Sequence, residues 1–259
     1  MFAEERHRLI TEQLAAQGKV GVADLSERFG ITRETVRRDL AQLEQQGVLR
    51  RVHGGAVVAS KTSTAEQSHT ARTTQNHEAK QRIATKALEL LPQGATSIVL
   101  DAGTTTELFA GLLADELASQ RAAELLVITH ALPIALRISP TMQLELIGGR
   151  VRGLTSAATG NHTLSQLDGL RPDIAFVGAN GLDATFGLST PDSLEAAVKT
   201  AIVGCARRVV LLADSSKLGE TALVRFATLA DIDTLVTDAA PDADLAAALE
   251  AADVDVVLA

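Results

Sequence analysis

The stretch VGVADLSERFGITRETVRRDLAQLEQQGVLRRVHGGAVV occupies residues 20–58, and its spacing decides the first part of the fold. Val22, Leu25 and Phe29 stand three and four apart, which predicts a short helix over about 22–29. Gly30 makes a tight turn. Thr32 is a good N-cap for a longer helix ending near Gln46, with Gly47 as its C-cap and Val36, Leu40 and Leu43 as its core stripe. Upstream, residues 3–17 put Leu9, Ile10 and Leu14 on one helical stripe, which Gly18 stops. Helix, short helix, glycine turn and third helix is the order of a helix-turn-helix. After Gly47 the apolar period changes. VLRRVHGGAVV reads as two short strands joined at His53-Gly54-Gly55, a β-hairpin in the position of a wing.

The outward face of the third helix carries the chemistry. Arg33 and Arg37 are four apart and share an exposed face, with Thr35 near the helix start where base edges are met. Glu34 and Arg38 are also four apart and are expected to pair, leaving Arg33 and Arg37 to reach DNA. Arg28, Thr32, Arg50, Arg51, His53 and Gly54 complete the candidate contacts to double-stranded operator DNA. An arginine-rich helix taken alone is equally well a solvated face. The glycine turn, the helix order and the wing shift the reading to DNA binding. Each phosphate neutralised lowers log affinity by roughly 0.9 per unit of log salt, so six arginines between residues 28 and 51 predict steep salt dependence.

The charge balance supports a division of the chain. The net formal charge is −8, yet residues 1–58 carry nine Lys/Arg against eight Asp/Glu. The acid lies in the remainder, which suggests two domains with different partners. Residues 59–78 are Ser/Thr/Gln-rich with almost no large apolar residues and read as a linker. The domains expected are thus 1–58, a linker of 59–78, and 79–259. No apolar run approaches the roughly 18 residues of a membrane span, and the N-terminus shows no signal-peptide pattern. With a single cysteine, Cys205, the expected compartment is the cytoplasm. Six scattered histidines without ligand spacing leave no metal-site signal, and no cofactor is implied.

From residue 79 strands and helices alternate. Apolar runs at 97–101, 125–129, 144–148, 174–178, 208–214, 233–238 and 254–258 are strand candidates. Helical stretches lie at about 79–91, 104–118, 131–138, 192–206 and 242–252. This predicts an α/β domain with a mainly parallel sheet covered on both faces. In such a sheet ligands bind at the edge where the loops following the strands emerge. Four of those loops are polar and glycine-rich: DAGTTT from Asp101, GGRVRG from Gly148, GANGLD from Gly178 and DSSK from Asp214. Gly103, Thr104, Thr105 and Thr106 open a helix and suit a phosphate. Asp101 and Asn180 suit hydroxyls, Gly149 and Gly181 offer backbone, and Lys217 or Arg150 adds positive charge. The chain has no Trp or Tyr to grip a bare sugar ring, which favours a phosphorylated ligand. A sugar-phosphate isomerase would need a base and an acid beside that cradle, with Asp101, Asp183, Glu195 and Lys199 as the groups available.

Together TRETVRRDL, VLRRVHGGAV, DAGTTT, IGGRVR, GANGLD, GLSTPDSLEAAVK and LLADSSK resemble the DeoR family of bacterial transcription regulators, over essentially the whole chain. The resemblance implies a winged helix-turn-helix and a sensor domain that looks like a relative of ribose-5-phosphate isomerase. Family members mostly repress sugar-uptake and catabolic genes and release DNA when a sugar phosphate binds. The chain looks most similar to actinobacterial members controlling phosphotransferase-system genes, which makes fructose 1-phosphate the first effector to consider. A homodimer or tetramer is implied. Carried over by position, the phosphate loop falls on Asp101, Gly103, Thr104 and Thr105, the linker-end lysine on Lys80, and the late polar loop on Asp214 and Lys217. The isomerases' lysine loop is matched only by GLSTPDS, which lacks the lysine, and this favours sensing over turnover. His130 stands where the family commonly has Asn. An active isomerase with a DNA-binding head, or an activator built from the same parts, remains the alternative.

Overall fold

The computed structural model describes residues 3–17, 19–45, 48–52, 54–58, 66, 68–92, 94, 96–117 and 125–259. The chain divides into two units, residues 1–62 and 63–259.

In the first unit, α1 (Ala3–Gln17), α2 (Val22–Phe29) and α3 (Arg33–Gln45) form where the apolar spacing places them. Ile10 and Leu14 of α1, Leu25 of α2, and Val36, Leu40 and Leu43 of α3 share one buried core. Gly30 ends α2 in the left-handed conformation, with φ 63°. Thr32 caps α3: its hydroxyl accepts from the Thr35 N–H at 3.2 Å. Asp39 is buried on the inner side of α3 and accepts two hydrogen bonds from Arg6, at 2.7 and 2.9 Å, fastening α1 to α3. Gly18, Gln46, Gly47 and His53, expected as stops and a turn, lie outside the described residues.

The wing has one strand more than the spacing suggested. β2 (Leu49–Val52) and β3 (Gly55–Val58) form the expected hairpin, and β1 (Lys19–Gly21) adds to the far side of β3. The register is Lys19 to Val57, Val20 to Ala56 and Gly21 to Gly55, all antiparallel. A Cβ at Gly55 would stand 2.0 Å from the Val20 carbonyl oxygen, so the third strand requires glycine at that place.

The second unit is built on seven parallel strands in the order β15-β14-β12-β9-β4-β5-β6. In chain order these are β4 (Ser97–Leu100), β5 (Leu126–Thr129), β6 (Gln143–Leu146), β9 (Ile174–Val177), β12 (Arg208–Leu212), β14 (Thr234–Thr237) and β15 (Asp255–Leu258). Alternation along the strands sorts side chains into two cores. Ile98, Leu100, Phe176, Val210 and Val236 pack on one face with α5 (His77–Glu89), α6 (Thr104–Leu117) and α7 (Leu132–Ile138). Val99, Val177, Leu211 and Leu235 pack on the other with α8 (Asn161–Leu167), α9 (Ser193–Cys205) and α10 (Ala243–Ala251). Near the centre, the Phe109 and Phe176 rings lie 4.3 Å apart between centroids. Two small antiparallel additions, β7 (Arg150–Arg152) with β8 (Ala157–Thr159) and β10 (Gly181–Asp183), β11 (Gly187–Thr190) and β13 (Val224–Ala227), were not anticipated.

The chain lays down β4, β5 and β6 in one direction, then returns to place β9 on the other side of β4. The strand order therefore reverses between β4 and β9, and a crevice opens there beyond the strand ends. The stretch read as linker is structured in part. α4 (His69–Thr74) and the start of α5 lie within it. The His69 N–H donates to the Leu154 carbonyl at 2.9 Å, and its ring meets Glu107 of α6 at 2.7 Å.

Candidate functional site

The crevice at the strand reversal is a cleft with four walls. Ala102–Thr106 follow β4, Gly178–Asn180 follow β9, and Ala213, Asp214 and Lys217 follow β12. The fourth wall is Arg72, Gln75, Asn76 and Lys80 of α4 and α5. Three of the four loops expected at the ligand edge thus converge. The loop after β6 does not. β6 lies two strands from β4, and strands are spaced by about 4.8 Å, so its loop opens roughly 10 Å away. Gly149 and Arg150 are exposed there and line no part of the cleft. Gly149, with φ 155°, is needed for packing instead: a Cβ would meet the Thr163 hydroxyl of α8 at 2.1 Å. Gly181 likewise belongs to β10 and not to the cleft wall.

The threonine loop lies as expected. α6 begins directly after Gly103, whose missing side chain leaves the first-turn N–H groups uncapped by it. Thr104 and Thr105 are buried, and their hydroxyls have no hydrogen-bond partner among the described residues. Thr106 is different: its hydroxyl donates to the Gly103 carbonyl at 2.9 Å, which shapes the loop.

Asp101 was expected to meet ligand hydroxyls, and the structure assigns it elsewhere. Its side chain is fully buried below the loop. One oxygen accepts from Lys199 Nζ and from the Gly178 N–H at 3.0 Å, and the other lies 3.3 Å from His130 Nε2. Burial alone would raise its pKa, but the Lys199 ammonium and His130 outweigh it and hold the carboxyl down at about 2. Asp101 therefore ties the loop after β4 to the loop after β9. His130, directly after β5, completes that tie, with Nδ1 2.8 Å from the Ala158 carbonyl, and does not line the cleft.

The other acids are also engaged. Asp214 is buried and accepts from Asn76 Nδ2 at 2.9 Å and the Ser216 N–H at 3.1 Å. Glu195 reaches the cleft wall but bonds Arg152 at 3.2 Å and the Thr155 hydroxyl. Asp183 caps the Thr185 and Phe186 N–H groups at 2.9 and 2.7 Å. Asn180 holds Thr190 through its side-chain oxygen at 3.0 Å. Among the described residues each of these acids thus has at least one partner within the protein. The cleft instead presents cations and N–H donors. Lys80 is buried with its ammonium on the Arg72 carbonyl at 2.5 Å. Burial, with Lys217 and Arg72 nearby, lowers its pKa to about 8 against the opposing pull of Asp214.

In the first unit α3 turns Arg33, Arg37 and Arg38 outward. The expected Glu34–Arg38 pair is shared: Glu34 lies 3.8 Å from Arg38 and 3.6 Å from Arg37, so Arg37 is not left clear of it. Arg33 forms no ion pair among the described residues. Thr35 shares a hydroxyl contact of 2.9 Å with Thr32. Arg51 of the wing folds back on Glu44, donating from its N–H at 2.8 Å and its guanidinium at 2.6 Å. Arg28 bonds Gln13 of α1 and lies over the Phe29 ring. Gly54 turns between β2 and β3 with φ 83°. The side chain of Arg50 and all of His53 lie outside the described residues.

A winged helix-turn-helix joined to a parallel α/β domain is the architecture of a DNA-binding transcription regulator. The chain belongs to the DeoR family: residues 6–62 match the DeoR-like helix-turn-helix domain, and residues 75–239 match the DeoR C terminal sensor domain. It is 36% identical over 258 residues to the HTH-type transcriptional regulator GlpR of Haloferax volcanii, covering 99% of this chain and 98% of that one. It is 35% identical to FruR of Bacillus subtilis, an uncharacterized HTH-type transcriptional regulator, over 92% of each chain. The lactose phosphotransferase system repressor of Streptococcus mutans is also 35% identical, over 93% of this chain and 94% of that one. Among solved structures, ribose 5-phosphate isomerase A from Methanocaldococcus jannaschii aligns with a TM-score of 0.42 at 22% identity, covering 56% of this chain and 55% of that chain. Among the described residues no helix is long and apolar enough to cross a membrane.

Proposed function

We propose that this regulator is a repressor of sugar-uptake or sugar-catabolic genes, held on its operator as a homodimer or tetramer and released by a phosphorylated sugar. The observation that carries the reading is the cleft itself: unpartnered Thr104 and Thr105 hydroxyls and the start of α6 face a wall that includes Lys80, Lys217 and Arg72. Donors converging without a free acid suit an oxyanion. The names of the relatives, one drawn from a phosphotransferase system, support a sugar phosphate, and the FruR name makes fructose 1-phosphate the first compound to try. On the DNA side, Arg33, Thr35, Arg37 and Arg38 of α3 would meet the major groove, with Arg50, Arg51, His53 and Gly54 of the wing on the backbone. Arg28, bonded to Gln13 of α1, and Thr32, which caps α3, support the reading helix in this proposal.

The test is a double substitution, Thr104→Ala with Thr105→Ala. In an operator-release titration against a panel of phosphorylated sugars, the wild-type protein should release DNA with one of them. The variant should bind operator normally and need at least tenfold more of that sugar. Release at the wild-type concentration would remove the phosphate from this loop. Target transcription should rise when the gene is deleted; a fall would make the protein an activator.

A further inference from the structure

The seven-stranded sheet ends in two edges, and they differ in charge. At one edge β6 pairs only with β5, and at the other β15 pairs only with β14. Among the described residues nine large apolar side chains are exposed, and four of them gather at the β6 edge: Leu132 and Leu136 of α7, Leu146 of β6 and Val151 of β7. Leu136 is 76% exposed, more than any other of the nine. Leu132 and Leu136 are four apart and share the outer face of α7, whose inner face buries Ile134, Ala135 and Ile138. Leu146 stands two residues from Leu144, which packs on the core beneath α7, so both lie on the sheet face that α7 covers. The β7–β8 hairpin is fastened to the start of the same helix: Ala131 pairs with Ala157, and the Leu132 N–H donates to the Ser156 carbonyl at 3.0 Å.

Charge keeps an unpaired strand edge from taking up another chain. The β15 edge is protected in this way, since residues 238–259 carry six Asp/Glu and no Lys or Arg. Two copies brought together there would set like charges against each other. The β6 edge is not protected: residues 131–152 carry three arginines and one acid, in a chain of net charge −8. Arg137, Arg150 and Glu145 are exposed without an ion pair among the described residues, so both signs are open to a partner. An isologous contact sets one patch against itself, so the arginines of one copy can meet the glutamate of the other. A β6 edge set against a β15 edge would leave an edge open on each copy and propagate, whereas two operator half-sites call for a two-fold axis.

We propose that the face formed by α7, β6 and the β7–β8 hairpin docks the same face of a second copy of this chain about a two-fold axis. This deepens the homodimer of the proposed function and rests on it. It also gives GGRVRG, the polar loop that follows β6 away from the cleft, a place at the contact between subunits.

The experiment is sedimentation equilibrium of the full chain over a range of concentrations, with far-UV circular dichroism as the check on folding. The wild type should associate. Leu136→Glu with Leu146→Glu should raise the dissociation constant of that association at least tenfold and leave the dichroism unchanged, because both side chains already face solvent. Leu136→Met, which keeps the apolar contact, should associate as the wild type does. Leu258→Arg, at the exposed position of the opposite edge, should also leave association unchanged. Association of the double variant within twofold of wild type overturns the proposed surface and leaves the homodimer standing. Weakening by Leu258→Arg equal to that of the double variant would show a β6-to-β15 contact and overturns the two-fold arrangement. A wild type that stays monomeric overturns the homodimer together with the surface.

Discussion

Lys80 gives the cleft a pH dependence that can be worked out from its surroundings. Buried beside Lys217 and Arg72, it titrates at about 8 in the free protein instead of near 10.5. An anion beside it favours the ammonium, so binding raises that pKa. Above pH 8 the proton must be taken up on binding, and affinity for inorganic phosphate should fall as pH climbs from 8 to 10, by up to about tenfold per unit from this group. Lys80→Arg, which stays charged, should flatten the decline, as isothermal titration at pH 7.5, 8.5 and 9.5 would show. An equally steep decline in that variant would take Lys80 out of the binding step. The place of Thr104 and Thr105 at a helix start was legible because strand, glycine and helix are adjacent in the chain. Asp101 was misread for the same reason: its neighbours in sequence belong to the cleft, while its partners, Lys199 and His130, come from α9 and from the loop after β5.

Among the elements, α3 shows how charge is arranged for DNA. Glu34 stands within 4 Å of both Arg37 and Arg38, where it would compete with DNA phosphates for them. A charge pair at that distance near the surface interacts by at most about 4 kcal/mol, and measured exposed pairs retain roughly 0.2–1 kcal/mol. Glu34→Gln should therefore tighten binding to mixed-sequence duplex DNA a fewfold. Arg33→Ala should weaken it and lower the slope of log affinity against log salt by about 0.9. Anisotropy titrations between 50 and 200 mM salt measure both, and an unchanged slope would place Arg33 off the phosphate backbone. The helices of this unit were legible because their apolar stripes are local. β1 was not, because three residues carry no period. Its existence depends on the Val20 backbone pairing with Ala56 across thirty-odd residues of chain.

At the scale of the molecule, the two units have separate cores, one shared by α1, α2, α3 and the wing, the others on the two faces of the seven-stranded sheet. A ligand in the cleft at 100 times its dissociation constant should add about 2.7 kcal/mol to the stability of the second unit. Amide exchange should show this as slower opening of core amides in β4 and β9, with those of α2 and α3 unchanged by linkage to this core. Equal slowing in both units would mean that they unfold as one. The order of elements, the winged helix-turn-helix and the parallel α/β class all follow from periodicities written into short windows of the chain, because helix and strand burial repeat every few residues. Which loops meet does not. The reversal of strand order between β4 and β9 chooses the loops after β4, β9 and β12, leaves GGRVRG at the far edge, and brings α4 to the cleft. Those choices depend on pairings between strands far apart in the chain, as Ile98 of β4 with Ile174 of β9, and only the assembled sheet decides them.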